Sequence, residues 1–71
     1  MADLPGAAVK RLLTKHGNGL RTSASAVQLA VDAAERYVAR LAQEASAQAQ
    51  KERRKTMMDS DITKAREALG G

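Results

Sequence analysis

From Ala24 to about Glu52 the chain carries neither glycine nor proline, and Val27, Val31, Ala34, Val38, Leu41 and Ala45 recur there at alternating steps of four and three. That alternation places apolar side chains along one helix face and makes a heptad seam, which requires a second helix against it. Ala30, Ala33 and Tyr37 widen the face, and the intervening Ala, Gln, Glu and Arg are mostly good helix formers. At 1.5 Å per residue such a helix is expected to run ~40 Å.

Shorter patterns flank it. Pro5 suits the first turn of a helix, where its missing N–H costs nothing. Val9, Leu12 and Leu13 follow as a stripe, with Lys10, Arg11 and Lys15 elsewhere around the helix. Gly17, Asn18 and Gly19 supply a C-cap and a turn, so this helix is expected to end near His16. Thr22, Ser23 and Ser25 offer caps to the long helix. Arg53 to Met58 reads as a second joint, and Asp59, Ser60 and Asp61 as the acidic opening of a third helix. Ile62, Ala65 and Leu69 are its expected buried face, and Gly70 and Gly71 its stop. The plan is all-α, short–long–short. Two helices of ~11 residues cannot cover one of ~28, so apolar surface is left that only a second chain can bury.

The 71 residues allow one domain, 1–71. A chain this short usually needs a staple, a metal or a partner. It has no cysteine, and the lone His16 and eight acids show no metal-ligand spacing, so association is the remaining device. Nor is there a constellation for acid–base or nucleophilic work, so no enzyme, cofactor or small-molecule substrate is expected. Twelve Lys and Arg against eight Asp and Glu leave a net charge of +4, which favours a polyanionic partner. The excess sits at the ends and joints: residues 1–23 carry four basic groups against one acid, residues 51–71 six against four. Tyr37 is the sole aromatic residue, which argues against readers that stack bases on rings. No stretch approaches a membrane span and the first residues lack a basic-then-apolar signal, so a cytoplasmic location is expected.

Local words sharpen the picture. Leu4-Pro5 followed by Val9-Lys10-Arg11-Leu12-Leu13, then Arg21-Thr22-Ser23 before the long helix, then Arg54-Lys55-Thr56 with Asp59-Ser60-Asp61-Ile62 shortly after, resemble the archaeal histones over residues 4–69. The resemblance implies a histone fold that forms a handshake dimer, long helices crossing and the first loop of one chain beside the second loop of the other. It implies an architectural role at the chromosome or nucleoid, bending and wrapping duplex DNA through backbone contacts with little base readout. By that resemblance Arg21 is a minor-groove arginine, Lys55 and Thr56 contact the DNA backbone, Arg11 faces phosphate, and Arg54 with Asp61 forms an ion pair from loop to helix. Two departures stand out. The Gly17–Gly19 loop is one residue longer than usual, and Gln48, Lys51 and Lys64 occupy the surface where dimers of the family meet through apolar residues and a His.

The expected DNA-binding set is Lys10, Arg11, Lys15, Arg21, Thr22, Ser23, Arg53, Lys55 and Thr56. The expected dimer core is Val27, Val31, Ala34, Val38, Leu41, Ala45 and Ile62. Arg36, Arg40, Lys64 and Arg66 have acids nearby and read as solvated or locally paired surface. His16 suits a helix C-terminus, and Met57 or Met58 suits core filling. Two other classes fit less well: a histone-fold subunit that pairs with a different histone-fold chain in a transcription complex, and an amphipathic membrane-surface protein. The charge-balanced, Ala-rich long helix opposes the second. If the seam needs a partner, the thermal midpoint rises with protein concentration, and a charged residue at Val38 or Leu41 abolishes folding together with association. Calorimetry across a dilution series decides this, and a midpoint independent of concentration contradicts it.

Overall fold

A computed structural model describes residues 3–70; Gly71, one of the two glycines expected to stop the third helix, lies outside them. Three helices follow in order: α1 over Gly6–His16, α2 over Ala24–Lys51 and α3 over Asp59–Ala68. They match the three spans read from the apolar pattern, with no strand among the described residues. The chain divides within α2 into two compact units, Met1–Arg36 and Tyr37–Gly71.

In the first unit α1 packs on the N-terminal part of α2. Val9 and Leu13 from α1 are half-buried, as are Val27, Ala30 and Ala34 from α2, while Val31 is buried. Pro5 precedes the first turn instead of occupying it: it is the N-cap, with extended backbone (φ −67°, ψ 124°). The C-terminus of α1 depends on Gly17, where a Cβ would lie 2.5 Å from the Leu13 carbonyl oxygen. The chain then reverses through positive φ at Asn18 (59°) and Gly19 (73°). Of the three hydroxyl residues expected to cap α2, Ser23 does so, its Oγ accepting from the Ala26 N–H at 3.1 Å. Thr22 carries a buried Oγ1 with no partner, and Ser25 only approaches the Ser23 hydroxyl.

The second unit buries Ala45 and Ala49 of α2 and Ala65 of α3. Ile62, expected on the buried face of α3, is 37% exposed, and the residue beside it, Asp61, is buried instead. The reason is chemical: Asp61 has polar partners inside, so the helix turns its acid inward and its isoleucine out. The C-terminus of α2 closes with two hydrogen bonds, Arg53 N–H to Gln50 O and Arg54 N–H to Ala49 O, both 3.0 Å. These form a Schellman motif, and they put Arg53 at φ 56°, a position where glycine is the usual residue.

One fastening had no signal in the apolar pattern. Glu35, half-buried on α2, accepts the backbone N–H groups of both Asp3 and Leu4, the latter at 2.9 Å, and so ties the segment ahead of α1 onto α2. Replacing Glu35 with Ala leaves two amides without their acceptor and lowers stability by about 1 kcal/mol. Hydrogen exchange at Leu4 accelerates in that variant, and unchanged exchange there argues against the fastening.

Candidate nucleic-acid interface

Each unit carries one joint between helices, and the basic residues cluster on these joints and on α1. In the first unit Lys10, Arg11 and Lys15 are exposed, and Arg11 and Lys15 line one shallow groove of about 390 Å³ beside Leu12. The loop to α2 presents Arg21 exposed, Thr22 half-buried and Ser23 exposed as the cap. In the second unit Lys51, Arg53, Lys55 and Thr56 are exposed around the end of α2. Arg54, Lys55 and Thr56 line one groove of about 410 Å³ with Ala49 and Met57.

Arg54 organises that second joint. Its guanidinium meets Asp61 with two parallel bonds, Nη1 to Oδ2 at 2.7 Å and Nη2 to Oδ1 at 2.8 Å. The same group donates to the Thr56 carbonyl at 3.1 Å and to Glu52 Oε2 at 3.1 Å. Asp61 Oδ2 also accepts the Met58 N–H at 2.8 Å, so one carboxylate caps α3 and holds the loop. Paired bonds of this geometry are among the stronger polar contacts a protein makes. The Arg54 bonds, then the Met58 N–H, hold the Asp61 carboxyl down at about 2. Asp61 and, less strongly, Glu52 raise the guanidinium's own affinity for its proton.

Three further carboxylates are engaged as well. Glu35 holds the N-terminal segment, Asp32 accepts from Gln28 at 3.0 Å, and Asp59 accepts from the Ser60 N–H at 3.0 Å. Arg36 and Arg40, expected to find acids one turn away, form no ion pair; among the described residues only Arg54 does. Lys64 and Arg66 are likewise exposed and unpaired there. The cations of the joints therefore face outward without internal neutralisation.

The residues expected in a dimer core are not equally available. Val31 and Ala45 are already buried within the chain, and Val27, Ala34 and Leu41 are half-buried. Val38 is 54% exposed, and Tyr37, Met57, Met58 and Ile62 of the same unit are open too.

A family model described as "Histone-like transcription factor (CBF/NF-Y) and archaeal histone" matches residues 2–65. The chain is a histone-fold protein of this DNA-binding family. No curated protein and no solved structure matches it. In this histone-fold protein, sequence reasoning missed the Glu52 contact of Arg54, since a Glu two residues earlier on a helix end carries no pairing signal. It also missed the left-handed backbone at Arg53, because the glycine that would have announced it is absent. No helix is long and apolar enough to cross a membrane, and no cluster of His, Cys or acids suits a metal among the described residues.

The depressed carboxyl sets an acid limit. Because Asp61 titrates lower in the folded chain than its unfolded value of roughly 3.9, its contribution is complete above that value. It is lost as pH falls towards about 2. Unfolding titrations of the native chain therefore steepen in that window. Asp61→Asn is less stable at neutral pH and loses this steepening, and an unaltered acid limb in the variant rejects the assignment.

Proposed function

We propose that this histone-fold protein acts as a single domain that homodimerises and bends duplex DNA by sequence-independent contacts to the phosphate backbone, as a chromosome-associated architectural protein. The supporting observation is the asymmetry of charge engagement at the joints. At the second joint Glu52, Asp59 and Asp61 are occupied by Arg54 or by backbone N–H groups, and the first joint holds no carboxylate, whereas Lys10, Arg11, Lys15, Arg21, Lys51, Arg53 and Lys55 have no ion-pair partner among the described residues. Unneutralised cations beside loop hydroxyls are suited to phosphate, and displacing counterions from DNA supplies the binding free energy. In this reading Ser23 and Thr56 donate to phosphate, whereas the hydroxyl of Thr22, expected to do the same, is buried and does not reach it; Arg21 enters the minor groove, and Arg54 with Asp61 fixes the second loop. Binding is the activity, with no catalysis.

The apolar surface left open by each chain supports pairing through the crossing of α2 with its copy, with Val38, Leu41 and Ile62 at the contact. The family description also covers transcription factors, and a chain that stays monomeric alone yet pairs with a different histone-fold chain would favour that second reading.

Affinity for any duplex falls steeply with salt, and the log–log slope drops by about 0.9 for each phosphate contact removed. Arg21→Ala and Lys55→Ala weaken all duplexes alike, and Lys64→Ala does less. Arg53→Gly separates stability from binding. Relief of the left-handed backbone, about 1–2 kcal/mol, outweighs the extra unfolded-state entropy of glycine, about 0.4–1 kcal/mol, so the variant melts higher yet binds more weakly. Fluorescence titrations over a salt series check these outcomes, and a flat salt dependence rules the reading out.

At the surface implied for dimer–dimer contact, Lys51 and Lys64 are exposed and Gln48 is half-buried. Like charges brought together there oppose stacking. The protein is therefore expected as a dimer without DNA, and apolar replacements of Lys51 and Lys64 promote tetramers. Sedimentation of the unaltered chain as a stable tetramer would show that this surface is placed wrongly.

A further inference from the structure

In the single chain Leu20 is 71% exposed, with Leu29 (70%) the most open of the large apolar side chains among the described residues, and it immediately precedes Arg21. Exposure of this degree on a floppy segment would mean little, but the backbone here is tied on both sides. The Gly19 N–H donates to Thr14 O at 3.0 Å, the Leu20 N–H to Gly17 O at 3.2 Å, and Ser23 caps α2. Positive φ at Asn18 and Gly19 turns the chain so that the leucine stands clear, and a Cβ at Gly19 would meet nothing within 4 Å. The surroundings are electropositive: no Asp or Glu occurs between Leu4 and Val31, while Lys10, Arg11, Lys15 and Arg21 do. An apolar tip on hydrogen-bonded backbone beside an unpaired arginine, in a field of one sign, fits a polyanion that also offers an apolar interior. Duplex DNA is such a partner: phosphates outside, stacked bases within.

We propose that Leu20 is a wedge that enters the minor groove beside Arg21 and partly unstacks one base step, so that the first loop kinks the duplex as well as holding it. This rests on the DNA-binding reading above. Apolar side chains inserted in this way open a step and bend DNA towards the major groove. The open step is most easily one that already deforms, such as TA or CA/TG. Leu20 thereby gives an otherwise sequence-blind protein a preference for flexible steps that no hydrogen bond to a base explains.

The test uses the full-length chain and duplexes carrying 2-aminopurine next to a single TA step in an otherwise stiff sequence, with dyes at the ends to read the bend by energy transfer. Wild type is expected to brighten the 2-aminopurine, to bend the duplex and to prefer it over the same duplex lacking the step. Leu20→Ala and Leu20→Gln should lose the brightening, the step preference and about 20° or more of bend. Both should keep the salt slope, since the phosphate contacts are untouched. Leu20→Met, still apolar and long, should retain all three signals. Unchanged fluorescence and bend in Leu20→Ala overturn the wedge while leaving salt-dependent DNA binding standing. A lowered, concentration-dependent melting point in Leu20→Ala and Leu20→Gln, with unchanged bending, overturns it too, by showing that a second copy covers the side chain. Absence of any duplex binding by wild type would instead remove the reading on which the wedge depends.

Discussion

Among the described residues, the buried hydrophobic side chains are one valine and three alanines. Everything else about this protein follows from that scarcity. A core so small contributes little apolar transfer free energy. The short helices α1 and α3 cover what α2 can bury within the chain, and larger residues such as Leu12, Val38 and Ile62 stay in water. The fold is thus organised around surface that the single chain leaves in solvent, and in the proposed dimer stability and association become one property.

Polar fastenings take over where apolar packing is thin. Asp61 is the largest fully buried side chain, and it serves the start of α3, the Arg54 guanidinium and, through it, the Thr56 carbonyl. Breaking such a pair leaves a desolvated charge, so each partner enforces the other's place. Glu35 does a similar service for the segment before α1. In both places a carboxylate turned inward fixes geometry, while the cations of the joints face outward.

The helices were legible because period and punctuation agreed: a seam without glycine or proline in the middle, Gly17 to Gly19 on one side, a charged joint on the other. The exact caps were less so. Thr22, Ser23 and Ser25 are equivalent to a propensity argument, and only the local turn decides that Ser23 reaches the Ala26 amide. At Ile62 the apolar pattern named an interior position that within the single chain Asp61 takes instead, since the pattern takes no account of an acid that has found partners. The cations of the joints were visible as a charge excess. Their freedom was not, because it depends on where Glu35, Glu52 and Asp32 send their oxygens, and those contacts are set by tertiary geometry or by neighbours with no distinctive spacing.

Tyr37 stands about one-third exposed on α2, in a chain that has no tryptophan and no phenylalanine. Its ring therefore supplies the entire near-ultraviolet absorbance, dichroism and intrinsic emission of the side chains. Any helix laid over that turn changes the ring's solvent and its asymmetry at once. The molecule carries its own single-site optical reporter of whatever covers the middle of α2, with no label needed and no second chromophore to confuse it.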